Sequence, residues 1–219
     1  MLTAHNKKNL ILSDTQTYIT AHCRISPEGI YKDGMLLWKG ELHSNTSNFL
    51  LSVYRHFNMD YPKFYKMDNL CKLGFLAVEL LLKDRQLAEE YGSENIGIVF
   101  SNANSSLDAD LHYFKSVKNI PSPAQFVYTL PNIVIGEVSI RHRCKGENAF
   151  FVSERFDADL MRFYVQDLMT RKRANACISG WVECLGEVYN AFVYLVEKRA
   201  REVALPFDTD HIHQIYRDS

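Results

Sequence analysis

Short, uninterrupted apolar runs separated by segments of helical periodicity dominate the pattern of this chain. Residues 95–100 and 149–153 are such runs, each long enough to cross a sheet once. A continuous apolar run of this length is typical of a strand that is covered on both faces. Over residues 63–82 the apolar side chains instead recur every three or four positions, which predicts an amphipathic helix. The alternation predicts an α/β fold with helices on both faces of a sheet.

The same two patterns divide the rest of the central region into helices and strands. Helices are predicted from near Leu107, over residues 133–141, and from an N-cap at Asp157 to about Arg171. Two apolar runs within residues 176–197 predict a strand hairpin, although the second run also fits a helix. No internal repeat or low-complexity segment interrupts these elements.

The chain is interpreted as a single domain over residues 1–219. Residues 1–60 are interpreted as its strand-rich N-terminal segment, and residues 198–219 as a C-terminal tail. The N-terminal segment has no functional assignment. Its predicted elements are short strands at residues 11–12 and 18–19 and turns at residues 27–29 and 32–34.

The balance of charge argues against several kinds of partner. Lys and Arg number 25 and Asp and Glu number 26, which gives a formal charge of −1. No global excess of either sign therefore drives binding to a phosphate backbone or an anionic membrane. The cluster Arg171-Lys172-Arg173 is interpreted as the cationic last turn of a helix, where it offsets the helix dipole. We expect no nucleic-acid partner.

Hydropathy and cysteine usage indicate a reduced, cytoplasmic protein. No segment approaches the ~20 apolar residues of a membrane span, and the N-terminus lacks the hydrophobic core of a signal peptide. The five cysteines are unevenly spaced and include no Cys-x-x-Cys pair. This pattern argues against a disulfide framework and against a zinc knuckle. We expect no cofactor and no metal.

Several motifs of the central region follow one another in a specific order. They are Ser122-Pro123 to Leu130-Pro131-Asn132, Lys145-Gly146-Glu147-Asn148, Phe151-Val152-Ser153-Glu154-Arg155-Phe156, and Cys177-Ile178-Ser179-Gly180-Trp181-Val182-Glu183. Together with the strand at residues 95–100, this order resembles the N-terminal half of the β-ketoacyl-acyl carrier protein synthases over about residues 64–197. The resemblance implies a thiolase-like fold, with a mixed sheet and helices on both faces.

The resemblance also locates a missing nucleophile. In that family the strand matching residues 149–153 leads to a catalytic cysteine, and the N-terminus of the next helix lowers the pKa of its thiol. This chain has Arg155 and Phe156 at the matching turn. A guanidinium stays protonated and a phenyl ring carries no nucleophilic atom, so no thioester forms there. The resemblance stops near residue 197, before the half that supplies the family's histidines, so we expect no catalytic residue.

These departures make the chain resemble a narrower group, the short inactive ketosynthase-like proteins of aryl polyene-type pathways, which look like chain length factors. The resemblance implies a non-catalytic partner of a complete ketosynthase in polyene or fatty acid biosynthesis, with an acyl carrier protein as a further partner. In such pairs the strand before the turn pairs with its counterpart across the dimer. Two alternatives stay open: a synthase-type acyltransferase active by itself, and a homodimeric scaffold that binds a carrier protein.

Five residues are candidates for an acyl tunnel or a subunit interface, namely Phe150, Phe151, Phe156, Leu130 and Asn132. The three phenylalanines either line the tunnel that holds the growing chain or pack in the core. Leu130 and Asn132 belong to a loop that in ketosynthases is close to the dimer mate and the tunnel. The alternative for this loop is a rigid connector that leads into a helix.

Two further pairs carry alternative interpretations. Glu154 and Arg155 form either a buried ion pair at the subunit contact or a solvated pair at the start of the helix. Cys177 and Cys144 are the best thiols if the chain is an enzyme in its own right. A buried, inert cysteine is the more common role for both.

Three histidines are weaker candidates for a functional site. Two lie near the end of the chain and one lies between two arginines. His211 and His213 are two positions apart, which on a strand places both imidazoles on one face, where a metal would need a third ligand. His142 lies between Arg141 and Arg143 and is interpreted as part of a solvated helix end.

Overall fold

The computed structural model describes residues 16–40, 45–117, 121–201 and 204–218, and these build a mixed sheet of eight strands. The strands are β1 (Tyr18–Ser26), β2 (Gly29–Lys32), β3 (Met35–Trp38), β4 (Ile96–Asn102), β5 (Asn148–Val152), β6 (Ala176–Leu185), β7 (Val188–Glu197) and β8 (Leu205–Pro206). Across the sheet the order is β3, β2, β1, β7, β6, β4, β5, and β8 pairs with β1. β4 runs parallel to β5 and to β6, and the other pairs are antiparallel.

Eight α-helices accompany the sheet in the described part of the chain. They are α1 (Thr46–His56), α2 (Asn69–Leu81), α3 (Leu87–Tyr91), α4 (Leu107–Val117), α5 (Pro123–Phe126), α6 (Ile133–His142), α7 (Ala158–Thr170) and α8 (Thr209–Asp218). Short 3-10 helices span Pro62–Lys66, Ser93–Asn95 and Val127–Thr129. None of the helices described is long and apolar enough to cross a bilayer.

The two faces of the sheet are covered by different helices. Ile98 and Phe100 of β4 belong to the core beneath α2 and α6. Val99 between them belongs to the core beneath α7 and α8. Because side chains alternate along a strand, a central strand covered in this way is apolar at every position. The predicted strand at residues 95–100 and the predicted fold class are confirmed.

The predicted helices are present, although the one predicted over residues 63–82 begins only at Asn69, after a 3-10 helix at Pro62–Lys66. Their ends follow local chemistry. Asp157 caps α7, where its Oδ1 accepts a hydrogen bond of 2.9 Å from the backbone N–H of Leu160. Asp68 caps α2 in the same way through the N–H of Cys71 at 3.0 Å. Gly74 of α2 allows α6 to approach closely, since an added Cβ would lie 2.4 Å from a methyl carbon on α6. The predicted hairpin over residues 176–197 is the antiparallel pair β6 and β7.

The N-terminal segment is less strand-rich than predicted. The strand at residues 18–19 and the turns at residues 27–29 and 32–34 are confirmed, whereas residues 11–12 lie outside the described residues. Thr46–His56 is a helix instead, capped by Asn45, whose side chain accepts from the N–H of Asn48 at 2.9 Å. Its buried side chains recur at helical spacing and pack toward α2. The 198–219 tail contains β8 and α8.

A buried carboxylate fastens the end of β7 to the loop before α3. Glu197 is fully buried, and its Oε1 lies 2.8 Å from Arg85 and 3.0 Å from Arg201. The hydroxyls of Tyr91 and Thr20 also donate to it. Burial opposes ionisation of Glu197, but these hydrogen bonds outweigh burial and lower its pKa to about 2. The charged form of Glu197 therefore stabilises this end of the sheet.

Glu197→Gln should lower the free energy of unfolding by about 3 kcal/mol at pH 7, because the two guanidinium groups lose their buried partner. A carboxylate whose pKa falls from 4.5 to about 2 on folding stabilises the fold above pH 4.5, and this stabilisation is lost as the pH falls toward 2. Denaturant unfolding of both proteins at neutral pH and near pH 3 measures the effect. The variant should lose less stability on acidification; equal losses in both proteins would contradict the assignment.

Candidate functional site

β5 forms one edge of the sheet and leads into the turn of residues 153–156, where the resemblance predicts a missing nucleophile. Among the described strands it pairs with β4 alone. The N–H of Ser153 donates to the carbonyl oxygen of Asn102 at 2.9 Å, so it points toward β4. Backbone groups alternate in direction along a strand, so the N–H and C=O groups of Phe150 and Val152 point to the open side. The edge is therefore available for another strand.

The side chains of β5 are more exposed than the sequence predicts. Its apolar run favours a strand covered on both faces, but Val152 is 56% exposed and the others are half-buried at best. Phe150 and Phe151 lie on opposite faces, each packed against a different core. Phe151 contacts Tyr164 of α7 edge-on, with ring centroids 5.1 Å apart. An apolar strand that is only half-covered at an edge suits a protein interface better than an isolated domain.

The turn after β5 is held by local hydrogen bonds. The hydroxyl of Ser153 donates to the carbonyl oxygen of Arg155 at 2.9 Å, and Asp157 caps the helix that follows. The side chains of Glu154 and Arg155 are exposed, and no ion pair joins them among the residues that the structure describes. Within this chain the pair is solvated; its burial in a subunit contact stays a prediction. The turn presents no nucleophile.

Phe156 lies just inside the turn and packs in the core on the α7 side of the sheet. Its ring centroid is 4.7 Å from that of Tyr216 on α8, 5.7 Å from Phe192 and 6.3 Å from Trp181. Only about a tenth of its surface is exposed, 9%. These contacts are those of core packing, the alternative to a tunnel wall. The use of Phe156 in a tunnel stays a prediction.

None of the five cysteines offers a reactive thiolate. All are free and buried. Burial raises the pKa of the Cys177 thiol far above its ordinary value and that of Cys144 to about 11. The Sγ atom of Cys144 faces the backbone carbonyl of His142 at 3.7 Å, not an imidazole nitrogen. Both thiols therefore stay protonated at neutral pH, and neither is an activated thiol.

The histidines occupy different surroundings from those predicted. His211 and His213 lie on a helix, α8, rather than on a strand, so residues two positions apart point to different sides. Nδ1 of His211 lies 2.8 Å from Asp208, and no metal-binding cluster occurs among the described residues. His142 is half-buried rather than solvated, since its Nε2 lies 3.0 Å from Glu79. Arg141 pairs with the same carboxylate at 2.9 Å.

The loop before α6 lies on an apolar surface that the sequence analysis missed. Leu130 is 56% exposed, and Asn132 beside it is also exposed, with no cap hydrogen bond from its side chain. The helix α4 packs beside this loop and exposes further apolar side chains. The spacing of Leu107, Leu111 and Phe114 was the available signal, but such a stripe ordinarily predicts burial within the chain.

A small cavity beneath this surface has a mixed polar and apolar lining. It has a volume of 280 Å³ and lies between α4 and the start of α2. Charged and amide side chains, among them Asp68, Lys72, Asp108 and Gln125, contribute to its wall. The position of the acyl tunnel that the resemblance implies stays a prediction.

Comparison with known proteins gives matches at the level of structure. No protein-family model matches the chain, and no curated protein matches it. In contrast, 96 chains of solved structures match. The ishigamide ketosynthase/chain length factor superposes with a TM-score of 0.62 at 19% identity, covering 86% of this chain and 63% of that chain.

Two further structures show the same likeness. The ketosynthase in complex with its chain length factor from Xenorhabdus doucetiae gives a TM-score of 0.53 at 12% identity, over 84% of this chain and 80% of that chain. A type II polyketide ketosynthase structure with its acyl-carrier protein gives 0.55 at 15% identity, over 83% and 63%. This chain thus spans less than two thirds of the ishigamide and type II polyketide proteins. It is comparable in length to the protein from Xenorhabdus doucetiae. It has the thiolase-like fold of ketosynthases and chain length factors.

Proposed function

We propose that this chain is a non-catalytic ketosynthase-like subunit, similar to a chain length factor, that pairs with a complete β-ketoacyl synthase in polyene or fatty acid biosynthesis. One observation carries the proposal: β5, which pairs on one side only among the described strands, ends at a turn formed by Ser153, Glu154, Arg155 and Phe156, with no cysteine. In ketosynthases the equivalent strand pairs across the dimer and ends at the reactive cysteine. This chain keeps the strand that pairs across the dimer and lacks the reactive cysteine.

The chemistry of the turn supports a non-catalytic role. Arg155 carries a guanidinium that stays protonated, and Phe156 points into the core. The hydroxyl of Ser153 donates to a backbone carbonyl, and no base accepts its proton. Thioester exchange needs a nucleophile activated by a base or by a lowered pKa. Condensation of the acyl chain, delivered on a carrier protein, would belong to the partner subunit.

The surroundings of β5 support a protein partner. Phe163 of α7 is 71% exposed and lies next to Tyr164, which packs against Phe151 of β5. Val152 is exposed on the strand itself. A strand added at this edge would satisfy open backbone groups and cover these apolar side chains together. The ishigamide and Xenorhabdus doucetiae structures are both described as containing a ketosynthase with a chain length factor.

Val152→Pro should weaken assembly with a complete β-ketoacyl synthase, the partner that the proposal names, by at least about tenfold. The N–H of Val152 points away from β4, so proline removes a donor needed by the incoming strand and spares the existing ladder. Co-expression, affinity purification and titration of the purified subunits measure the effect. Val152→Thr, which keeps the N–H and the strand preference, is the matched control and should assemble like the wild type.

Failure of the wild-type chain to bind that ketosynthase would overturn the proposal. A wild-type homodimer that Val152→Pro dissociates, without ketosynthase binding, would support the homodimeric scaffold instead, because two β5 edges can pair with each other.

The native protein should resist alkylation by iodoacetamide at pH 7.5, because all five thiols are buried. Intact mass should show no adduct before unfolding and five adducts in denaturant. Incubation with acyl-carrier thioester should likewise leave the mass of the chain unchanged. A stable acyl adduct on Cys177 or Cys144 would restore the enzyme alternative.

Phe156→Ala should lower the free energy of unfolding by about 3–5 kcal/mol, because it empties a site packed between three aromatic rings. Arg155→Ala, at an exposed neighbouring position, is the control and should change stability by less than about 0.5 kcal/mol. If the Phe156→Ala complex still assembles, longer products would support a role in chain length. Unchanged products would confine Phe156 to core packing.

A further inference from the structure

We infer that the loop between β4 and α4 is a carboxylate-binding site that the chain fills with its own Glu183, and that this site takes a free small carboxylate when Glu183 is removed. The occupant comes from β6, the strand that pairs in parallel with β4. The inference goes beyond the proposed function and does not depend on it, because it concerns contacts within this chain.

Two consecutive backbone N–H groups of this loop converge on one oxygen. The N–H groups of Ala103 and Asn104 donate to Oε2 of Glu183 at 2.6 and 3.2 Å. The side-chain Nδ2 of Asn104 donates to the other oxygen, Oε1, at 3.1 Å. Successive N–H groups that point into one concavity are a recurrent anion-binding arrangement in proteins. Three donors around a bound carboxylate therefore define the site.

The loop is held by contacts that do not involve Glu183. Oδ1 of Asn102 accepts from the N–H of Ser105, and Nδ2 of Asn102 donates to the carbonyl oxygen of Ser105, each at 2.8 Å. The hydroxyl of Ser106 donates to the carbonyl oxygen of Thr129 at 2.9 Å. Because these bonds fix the backbone on both sides of the donors, the site should keep its shape when the carboxylate is removed.

The burial of Glu183 fits a site that a small solute can reach. Glu183 is 9% exposed, so it is buried close to the surface. Burial of a carboxylate is costly unless hydrogen bonds satisfy its oxygens, and here both oxygens have donors. Glu183→Ala removes the Cγ atom and the carboxylate group, which together have the non-hydrogen atoms of one acetate ion. Acetate is therefore the probe that matches the emptied space.

The position of the site gives it a chemical meaning. It follows the carboxyl end of β4, and ligands of parallel sheets bind at that end of the strands. The carbonyl oxygen of Asn102, just before the donors, accepts from the N–H of Ser153 in the turn after β5 at 2.9 Å. Acyl-transfer enzymes use pairs of N–H groups to stabilise an oxyanion. In this chain Glu183 occupies two such donors, so they are closed to a substrate oxygen.

Rescue of Glu183→Ala by acetate tests the inference. Thermal unfolding of the full chain is measured at pH 7.5 in sodium acetate and in sodium chloride of equal ionic strength. In chloride the variant should melt below the wild type, because three donors lose their partner. Acetate at about ten times its dissociation constant should raise the melting temperature of the variant by roughly 3–6 °C, and the effect should saturate. The wild type, whose site is filled, should melt alike in both salts.

Two variants and one neutral ligand are matched controls. Glu154→Ala removes an exposed carboxylate from the turn after β5 and should melt alike in both salts. Glu183→Gln keeps the shape of the side chain and an acceptor oxygen, so it should not respond to acetate either. Acetamide has the shape of acetate without its charge. It should stabilise Glu183→Ala less than acetate does, because N–H donors bind an anion more strongly.

Hydrogen exchange shows where acetate acts. The amides of Ala103 and Asn104 should exchange about tenfold faster in Glu183→Ala than in the wild type, and acetate should restore their protection. Absence of any acetate effect on Glu183→Ala overturns the inference, and so does an equal effect on the wild type and Glu154→Ala. If Glu183→Ala does not fold in chloride, refolding yield replaces the melting temperature: recovery in acetate alone supports the site, and failure in both salts counts against it.

Discussion

The parallel pairing of β5 with β4 determines which backbone groups and which turn the molecule presents at the edge of its sheet. It places β5 at the rim of the sheet, directs alternate backbone groups outward, and brings the turn after β5 to the same end as the loop after β4. Reactive groups of parallel sheets collect at the carboxyl ends of the strands. Here that end carries exposed apolar side chains and a turn without a nucleophile. Under the proposed function, this end of the sheet serves contact instead of chemistry.

Most of the fold could be predicted because its strands and helices obey simple periodicity. β4 and β6 lie between two helical layers, so nearly every position is buried and most of their residues are apolar. Asp157 predicts the start of α7 because a carboxylate at an N-cap accepts a hydrogen bond from a backbone N–H that has no partner within the helix. α1 was not predicted because its helical pattern of apolar residues is short and lies in a region of mixed polarity. The helical His211 and His213 were misread because two residues alone carry no period.

The candidate site was less predictable, since it depends on which surfaces stay uncovered. The apolar runs at residues 95–100 and 149–153 look alike, yet one crosses the centre of the sheet and the other its edge. Strand order is a property of tertiary contacts and leaves no mark on a run of five residues. Phe156 illustrates the converse case: its position in the motif suggests a tunnel, whereas its contacts with Phe192 and Tyr216 place it in the core.

Burial of Phe156 also shows how the turn is stabilised without the nucleophile that the resemblance places there. A catalytic turn keeps a reactive side chain accessible beside the helix N-terminus, and such strained or polar arrangements ordinarily lower stability. With Arg155 turned to solvent and Phe156 packed between Trp181 and Tyr216, the turn contributes apolar burial instead. α8, whose Tyr216 closes this cluster, covers the face of the sheet next to α7. Under the proposed function, the absence of a nucleophile and the added packing are therefore consequences of the same two positions.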